Sequence, residues 1–268
     1  MNGDGEPGSF DVAMIGGGNM GAALLGGMID SGRFAPETLA VVERRDARRQ
    51  ELVEMFPGVA VVPDVPPCSS AVIAVKPDGV AGATAAAVAA GAMRLVSIAA
   101  GVTLSTLLDA AGSGIAVVRA MPNTPALVGR GCAAIAGGPG TTEADLVWAE
   151  DILGAVGIVE RLDEHMLDAF TGVAGSGPAY VFLLAETLAA AAVDQGFDEA
   201  VAQRVVTQLL VGSAALLERD GDPAQLRTNV TSPGGTTAAG LARFAAHDFA
   251  AIVSDVVDAA TRRSRELG

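Results

Sequence analysis

The sequence predicts an α/β doubly wound, largely parallel sheet followed by an all-α domain. Three observations carry this. Short β-branched runs alternate with helical stretches rich in small residues from Asp11 to about residue 162. The first run, Asp11 to Ile15, ends in Gly16-Gly17-Gly18-Asn19-Met20-Gly21 and enters a helix. From Asp163 onward, long helical segments replace the strand-like runs. The expected organisation is a flexible tail over residues 1–10, a sheet domain over 11–162 and a helical domain over 163–268.

The glycines at 16, 18 and 21 fit G-x-G-x-x-G, the Rossmann-type turn. One serves a tight turn, one lets the backbone approach a pyrophosphate, and one allows close packing of helix on strand. Amides at the start of the following helix would then face the phosphates. Such turns also occur without ligands, so the motif by itself indicates a dinucleotide and no particular chemistry.

Composition narrows the alternatives. With 31 acidic and 17 basic residues the formal net charge is −14, which argues against a nucleic-acid partner. The lone cysteines, Cys68 and Cys132, have no metal-ligand or redox spacing and suit a reducing compartment. His165 and His247 form no cluster either, so no metal is expected. The opening residues lack the basic and apolar regions of a secretory signal. Apolar runs such as Pro178 to Ala185 are cut by Glu186, so no membrane span and a cytoplasmic location are expected.

Taken in order, Ser31-Gly32 ends the first helix and Leu39 to Val42 makes a second strand, closing on Glu43-Arg44-Arg45. This position, about twenty residues beyond the last glycine, is where a dinucleotide fold meets the adenosine ribose. An acidic side chain accepts from the ribose hydroxyls, whereas arginine pairs with the 2′-phosphate of NADP. Glu43 and Arg44 offer both, so cofactor choice stays open, and the run can also be a solvated opening to the helix Asp46 to Met55. Strands follow at Val59 to Val62 and Ala71 to Val75, the latter ending in Lys76-Pro77, which holds the sole lysine. A helix from Asp78 to Ala90, a strand from Leu95 to Ile98, the turn Ala99-Ala100-Gly101 and a helix from Thr103 to Ala110 continue the alternation. Ile115 to Val118 is a strand leading into Arg119-Ala120-Met121-Pro122-Asn123-Thr124-Pro125, read as a rigid loop because its prolines preclude a regular element. Cys132 to Ala136, the helix Thr142 to Leu153 and Ile158-Val159 complete the first half.

The second half reads as helices at Asp163 to Phe170, Pro178 to Val193, Glu199 to Glu218, Thr236 to Ala246 and Phe249 to Glu266, joined by short loops. The helix Pro178 to Val193 is apolar nearly all round and needs cover on every side, which favours a homodimer. Two stretches stand out. Thr171 to Tyr180 is a glycine-rich turn closed by Pro178, and Val230 to Thr237 sets four hydroxyls around Pro233-Gly234-Gly235 at a helix entry, a donor set suited to a small carboxylate. Each also reads as an ordinary helix cap.

Together with Ile15 to Met20, Ala74 to Pro77, Ala99 to Thr103 and Arg119 to Pro125, these two stretches give the chain its resemblance to the pyrroline-5-carboxylate reductase family, in order and spacing from about Phe10 to Leu267. The resemblance implies hydride transfer from NADPH, or NADH, to 1-pyrroline-5-carboxylate, giving proline. It also implies a helical domain that intertwines with its partner in a homodimer or a ring of dimers, with active sites at the dimer interface. Gly16, Gly18, Gly21, Asn19 and Met20 would meet the pyrophosphate, and Arg44 the 2′-phosphate, with Glu43 kept as the candidate for the ribose hydroxyls. Val75, Lys76, Pro77, Ala100, Met121 and Asn123 would meet the nicotinamide side. Ser232, Thr236 and Thr237 would hold the substrate carboxylate, with Thr171 near the ring nitrogen as the catalytic group. The chain departs from the family pattern at Glu43, where a small polar residue is usual, and at the proline-broken piece Val65 to Ser70. Two rival readings are a β-hydroxyacid dehydrogenase, which would need a lysine in the second half that this chain lacks, and a regulatory module that binds cofactor without turnover.

Overall fold

The computed structural model describes residues 9–268. The tail assigned to residues 1–10 lies outside this range up to residue 8, and Phe10 already opens the first strand, its amide donating to Pro67 O at 2.9 Å. Eight strands form one sheet: β1 Phe10–Ile15, β2 Leu39–Val42, β3 Ala60–Val62, β4 Cys68–Ile73, β5 Arg94–Ser97, β6 Ala116–Met121, β7 Gly131–Gly137 and β8 Gly157–Arg161. Their order is β3-β2-β1-β4-β5-β6-β7-β8. Neighbours are parallel except β7, which runs antiparallel to β6. The chain thus winds outward from β1 in both directions, and a crevice opens where the order reverses, beyond the carboxyl ends of β1 and β4.

Helices α1 Asn19–Asp30, α2 Asp46–Met55, α3 Val80–Ala89, α4 Leu104–Ala111 and α5 Glu143–Leu153 cover the sheet. Alternation along β1 shows both faces buried. Val12 and Met14 join Leu24, Leu25, Met28, Trp148 and Ile152 in one apolar cluster, while Ala13 and Ile15 join Ile73, Leu95, Leu107 and Val117 in the other.

Two strands depart from the expected bounds by three residues at one end. β4 begins at Cys68, inside the proline-broken piece, because pairing with β1 from Phe10↔Cys68 to Ile15↔Ile73 supplies the ladder that Ser69 and Ser70 would not earn by propensity. The expected rigid loop from Arg119 starts three residues later. Arg119 to Met121 belong to β6, held there by the antiparallel partner through Met121↔Ala134, and the prolines fall just past the strand.

The glycines of the first turn differ in what they permit. Gly16 has φ +117°, and a Cβ there would collide with the Ala74 carbonyl. A Cβ at Gly21 would collide with the Gly16 carbonyl, so α1 can lie on the turn only without one. Gly18 has nothing within 4 Å of the position its Cβ would take.

The chain forms two compact units: one runs through Gly175 and takes in Ala259–Gly268, and the other is Ser176–Asp258. The two units part after Gly175, later in the chain than the expected division at 162/163, and a polar tie holds the intervening residues to the sheet. Arg119, buried in β6, pairs with Glu164 at 2.9 Å and lies 3.8 Å from Asp168. Glu164 also accepts from the Leu104 amide at 2.6 Å, and Asp168 accepts from Ser264 Oγ at 2.7 Å. Arg119 is buried while Glu164 is 35% exposed, and removing the carboxylates would leave the buried guanidinium under-compensated, a demand that ties these residues to the sheet. The expected helix Asp163 to Phe170 is correspondingly broken into a 3₁₀ turn Glu164–Met166 and one α turn, α6 Leu167–Phe170, followed by a π turn Thr171–Gly175.

The second unit holds α7 Gly177–Asp194, α8 Glu199–Asp220, α9 Pro223–Asn229, α10 Thr236–Ala246 and the start of α11 Phe249–Leu267. Helix α9 was not expected, although Asp222 before Pro223 is a legible start: its carboxylate accepts from the Ala224 and Gln225 amides. Phe182 in α7, Val211 in α8 and Ile252 in α11 are 67%, 59% and 52% exposed. Segments Glu164–Asp194 and Glu199–Asp220 are long and apolar enough by composition alone to cross a membrane, so Glu186 does not interrupt the run as expected; one charge in a long apolar stretch is too dilute to do so.

Gly21→Ala should lower stability by about 1–3 kcal/mol through overpacking against the Gly16 carbonyl. Thermal denaturation should read this as a fall in melting temperature of roughly 2–10 °C.

Candidate functional site

The carboxyl ends of β1, β2 and β4 border a cleft of about 1190 Å³. It brings together six of the residues expected to hold a dinucleotide: Gly16, Gly18, Glu43, Arg44, Val75 and Lys76. At its base the α1 helix begins at Gly18 without a side-chain cap and without an acidic residue in its first turn. Its leading amides are therefore donors in want of an acceptor, and the helix dipole adds positive potential. The open space over Gly18 leaves those amides approachable.

The far wall was only partly legible. Val65, Asp78, Gly79 and Gly82 also line the cleft. For Asp78, Gly79 and Gly82 the signal is the small-residue texture of the segment after Lys76; Val65, in the proline-broken piece, has no such signal. Arg45 lines it as well. Its backbone N–H and Nε donate to Glu43 Oε1 at 3.0 and 3.1 Å, and its Nη2 to Oε2 at 3.3 Å. Burial works to raise the Glu43 carboxyl pKa, but hydrogen bonds and charge from Arg45 outweigh it and hold the group below its ordinary value.

The other expected cofactor residues stand elsewhere. Asn19 faces a second groove with Arg48 and Phe56, Met20 packs against the core, and Gly21 is buried under the turn. Pro77 is exposed at the start of a short 3₁₀ turn, and Ala100 is exposed in the turn after β5. Beside that turn, a Cβ on Gly101 would sit 3.2 Å from Leu267 Cβ.

A second group gathers at the end of β6. A Cβ on Gly175 would lie 2.8 Å from Met121 Cε and 3.4 Å from Thr171 Cγ2, so Met121, Thr171 and Gly175 are neighbours. Asn123, 9% exposed, commits both ends of its amide to the protein: Nδ2 donates to Ala174 O at 3.0 Å and Oδ1 accepts from the Cys132 amide at 2.9 Å. The Thr171 hydroxyl donates to Leu167 O, one turn back, at 2.7 Å. These two bonds draw carbonyls out of the regular ladder and account for the wide π turn, a distortion common at functional sites.

In the second unit, the α10 helix begins at Gly235 without a side-chain cap. Thr231 gives its hydroxyl to Arg227 O at 2.6 Å. Ser232, Thr236 and Thr237 are exposed, and their hydroxyls have no partner among the described residues. The three hydroxyls expected to hold a carboxylate are thus left uncommitted, beside the first three amides of the helix, which precede the Ala239 N–H to Gly235 O bond.

Comparison with known proteins agrees along the chain. Residues 164–267 match the family described as pyrroline-5-carboxylate reductase dimerisation, and residues 11–101 match the family described as NADP oxidoreductase, coenzyme F420-dependent. A pyrroline-5-carboxylate reductase of Synechocystis is 42% identical, over 97% of this chain and 99% of its own length. Among solved structures, a pyrroline-5-carboxylate reductase of Coxiella burnetii superposes with TM-score 0.90 at 29% identity, covering 97% of this chain and 99% of that one. The Plasmodium falciparum pyrroline carboxylate reductase with NADP bound gives 0.78 at 29% identity, covering 97% and 98%. Since the helical second half is a dimerisation domain and the kinship spans nearly the whole length, this chain belongs to the pyrroline-5-carboxylate reductase family.

Proposed function

We propose that this chain reduces 1-pyrroline-5-carboxylate to L-proline with NADPH, the last step of proline synthesis, in the cytoplasm. The observation that carries this reading is kinship over 97% of the chain with a reductase of that substrate. The residues fit a dinucleotide: an uncapped helix start, open space over Gly18 and an arginine on the rim of a long cleft. When bound, the reduced nicotinamide supplies the hydride that the C=N carbon takes up.

The chain's own residues bind and orient. Gly16, Gly18 and the first backbone amides of α1, those of Asn19 and Met20, hold the pyrophosphate, and Arg44 holds the 2′-phosphate. NADH is the alternative donor, because Glu43 can accept from ribose hydroxyls. Val75, Lys76, Pro77, Ala100 and Met121 flank the nicotinamide half. Ser232, Thr236 and Thr237 hold the substrate carboxylate, so that positioning supplies much of the catalysis.

Thr171 acts as an acceptor. Its own proton is given to Leu167 O, which leaves lone pairs on Oγ1. A protonated cyclic imine presents an N–H that needs such a partner, and the proton on nitrogen comes from water. Asn123 works as a positioning residue, since its bond to Ala174 O holds the turn that carries Thr171.

The exposed apolar side chains of the second unit are covered by a second copy of the chain in a homodimer, which can assemble further into a ring of dimers. We read the two long apolar segments as this dimer surface rather than as membrane spans. The net charge of −14 disfavours nucleic acid as a partner.

Purified protein mixed with 1-pyrroline-5-carboxylate and NADPH should consume the reduced nicotinamide, followed by its absorbance; no consumption with NADPH or NADH overturns the reading. Gly18→Ala should leave the melting temperature within about 2 °C of the parent while raising KM for NADPH about tenfold or more. Thr171→Val should lower kcat about 10- to 100-fold, the worth of a hydrogen bond to a charged group, with KM for NADPH little changed. Thr171→Ser should recover most of that loss.

A further inference from the structure

The segment that follows β2 carries four arginines, Arg44, Arg45, Arg48 and Arg49, and three carboxylates, Glu43, Asp46 and Glu51; of these Glu43, Arg44 and Arg45 line the cleft. The pairing is one to one. Arg45 Nε lies 3.1 Å from Glu43, Arg48 Nη1 lies 2.6 Å from Glu51, and Arg49 pairs with Asp46. Arg48 and Arg49 are further tied to backbone, Arg48 to Gly17 O at 2.8 Å and Arg49 to the Glu43 and Arg44 carbonyls at 2.9 Å. Arg44 is left as the one arginine of the four whose side chain has no ion pair or hydrogen bond among the described residues, and it lines the cleft.

The three carboxylates are not equivalent. Asp46 and Glu51 side chains are 85% and 60% exposed, so water screens them, whereas Glu43 is only 10% exposed and faces the cleft. A poorly screened carboxylate at this place accepts well from ribose hydroxyls and opposes a phosphate, since like charges repel most strongly where water screens them least. Left to itself, Glu43 would turn the cleft toward NADH.

We propose that Arg45 is the specificity-determining residue of the cofactor site: by neutralising Glu43 through both edges of its carboxylate, it lets Arg44 receive the 2′-phosphate of NADPH. Arg45 acts through Glu43 and need not touch the phosphate. Its own side chain is 70% exposed, directed to Glu43 by three bonds from one residue. The inference rests on the reading of this cleft as the cofactor site.

The test is the ratio of kcat/KM with NADPH to that with NADH in the full-length enzyme, for the parent, Arg45→Gln, the double variant Glu43→Gln/Arg45→Gln, and Arg44→Gln. The proposal expects Arg45→Gln to lower the ratio about tenfold or more, through KM for NADPH. It expects the double variant to return the ratio to within about threefold of the parent, a rescue that a folding defect would not produce. An unchanged ratio in Arg45→Gln overturns it. A fall that the double variant does not rescue also overturns it, and assigns Arg45 to the phosphate directly. If Arg44→Gln leaves KM for NADPH unchanged along with every other variant, the cofactor reading of the cleft itself fails.

Discussion

The structure depends on one close approach, that of the α1 helix to the turn at the end of β1. Gly21 lies so near the Gly16 carbonyl that no side chain fits between them, and Gly16 itself takes a φ of +117° against the Ala74 carbonyl. Because the helix can come that close, its axis points its uncapped amides at the crevice where the strand order reverses. The same geometry leaves Gly18 bare toward that crevice. Packing and anion affinity therefore have one cause: the missing Cβ atoms that let the layers touch also expose the backbone donors.

A second constraint is the buried charge of Arg119. A guanidinium buried in the sheet must find carboxylates, and it finds Glu164 and Asp168 from beyond the last strand. That demand recruits Leu104, the 164–170 turns and Ser264 into one polar network. Asn123 does comparable work nearby, pinning the Ala174 carbonyl to the β7 edge through Cys132. Sequence reading had placed Asn123 among cofactor ligands; the structure gives its amide a definite structural task, and through it a hold on the turn that bears Thr171. A buried amide satisfied on both sides stabilises a unique local conformation better than an apolar residue of similar size would.

The helical half obeys a different rule. Long apolar faces there stay open in the single chain, with Phe182 67% exposed. Too few residues surround α7 to close over it, which is why its near-uniform apolarity already pointed to a partner. The match to a dimerisation domain accounts for the surplus of apolar surface.

What the sequence determined by itself was whatever short-range chemistry encodes: the alternation of strand and helix, the glycines at 16, 18 and 21, the hydroxyls around Pro233, and the apolar helix that needs cover. Those signals are local, so neighbours in the chain suffice to read them, and they were enough to resemble one family. Tertiary structure alone decided where β4 and β6 begin and end, because strand bounds follow the partner's ladder and not the strand's own composition. It also decided that residues 164–175 stay with the sheet, that Thr171 gives its proton to Leu167, and that Arg45 pairs with Glu43 while the Arg44 side chain makes no ion pair among the described residues. Each of these is a pairing of polar groups whose partner is chosen by distance and burial, quantities a linear sequence does not carry.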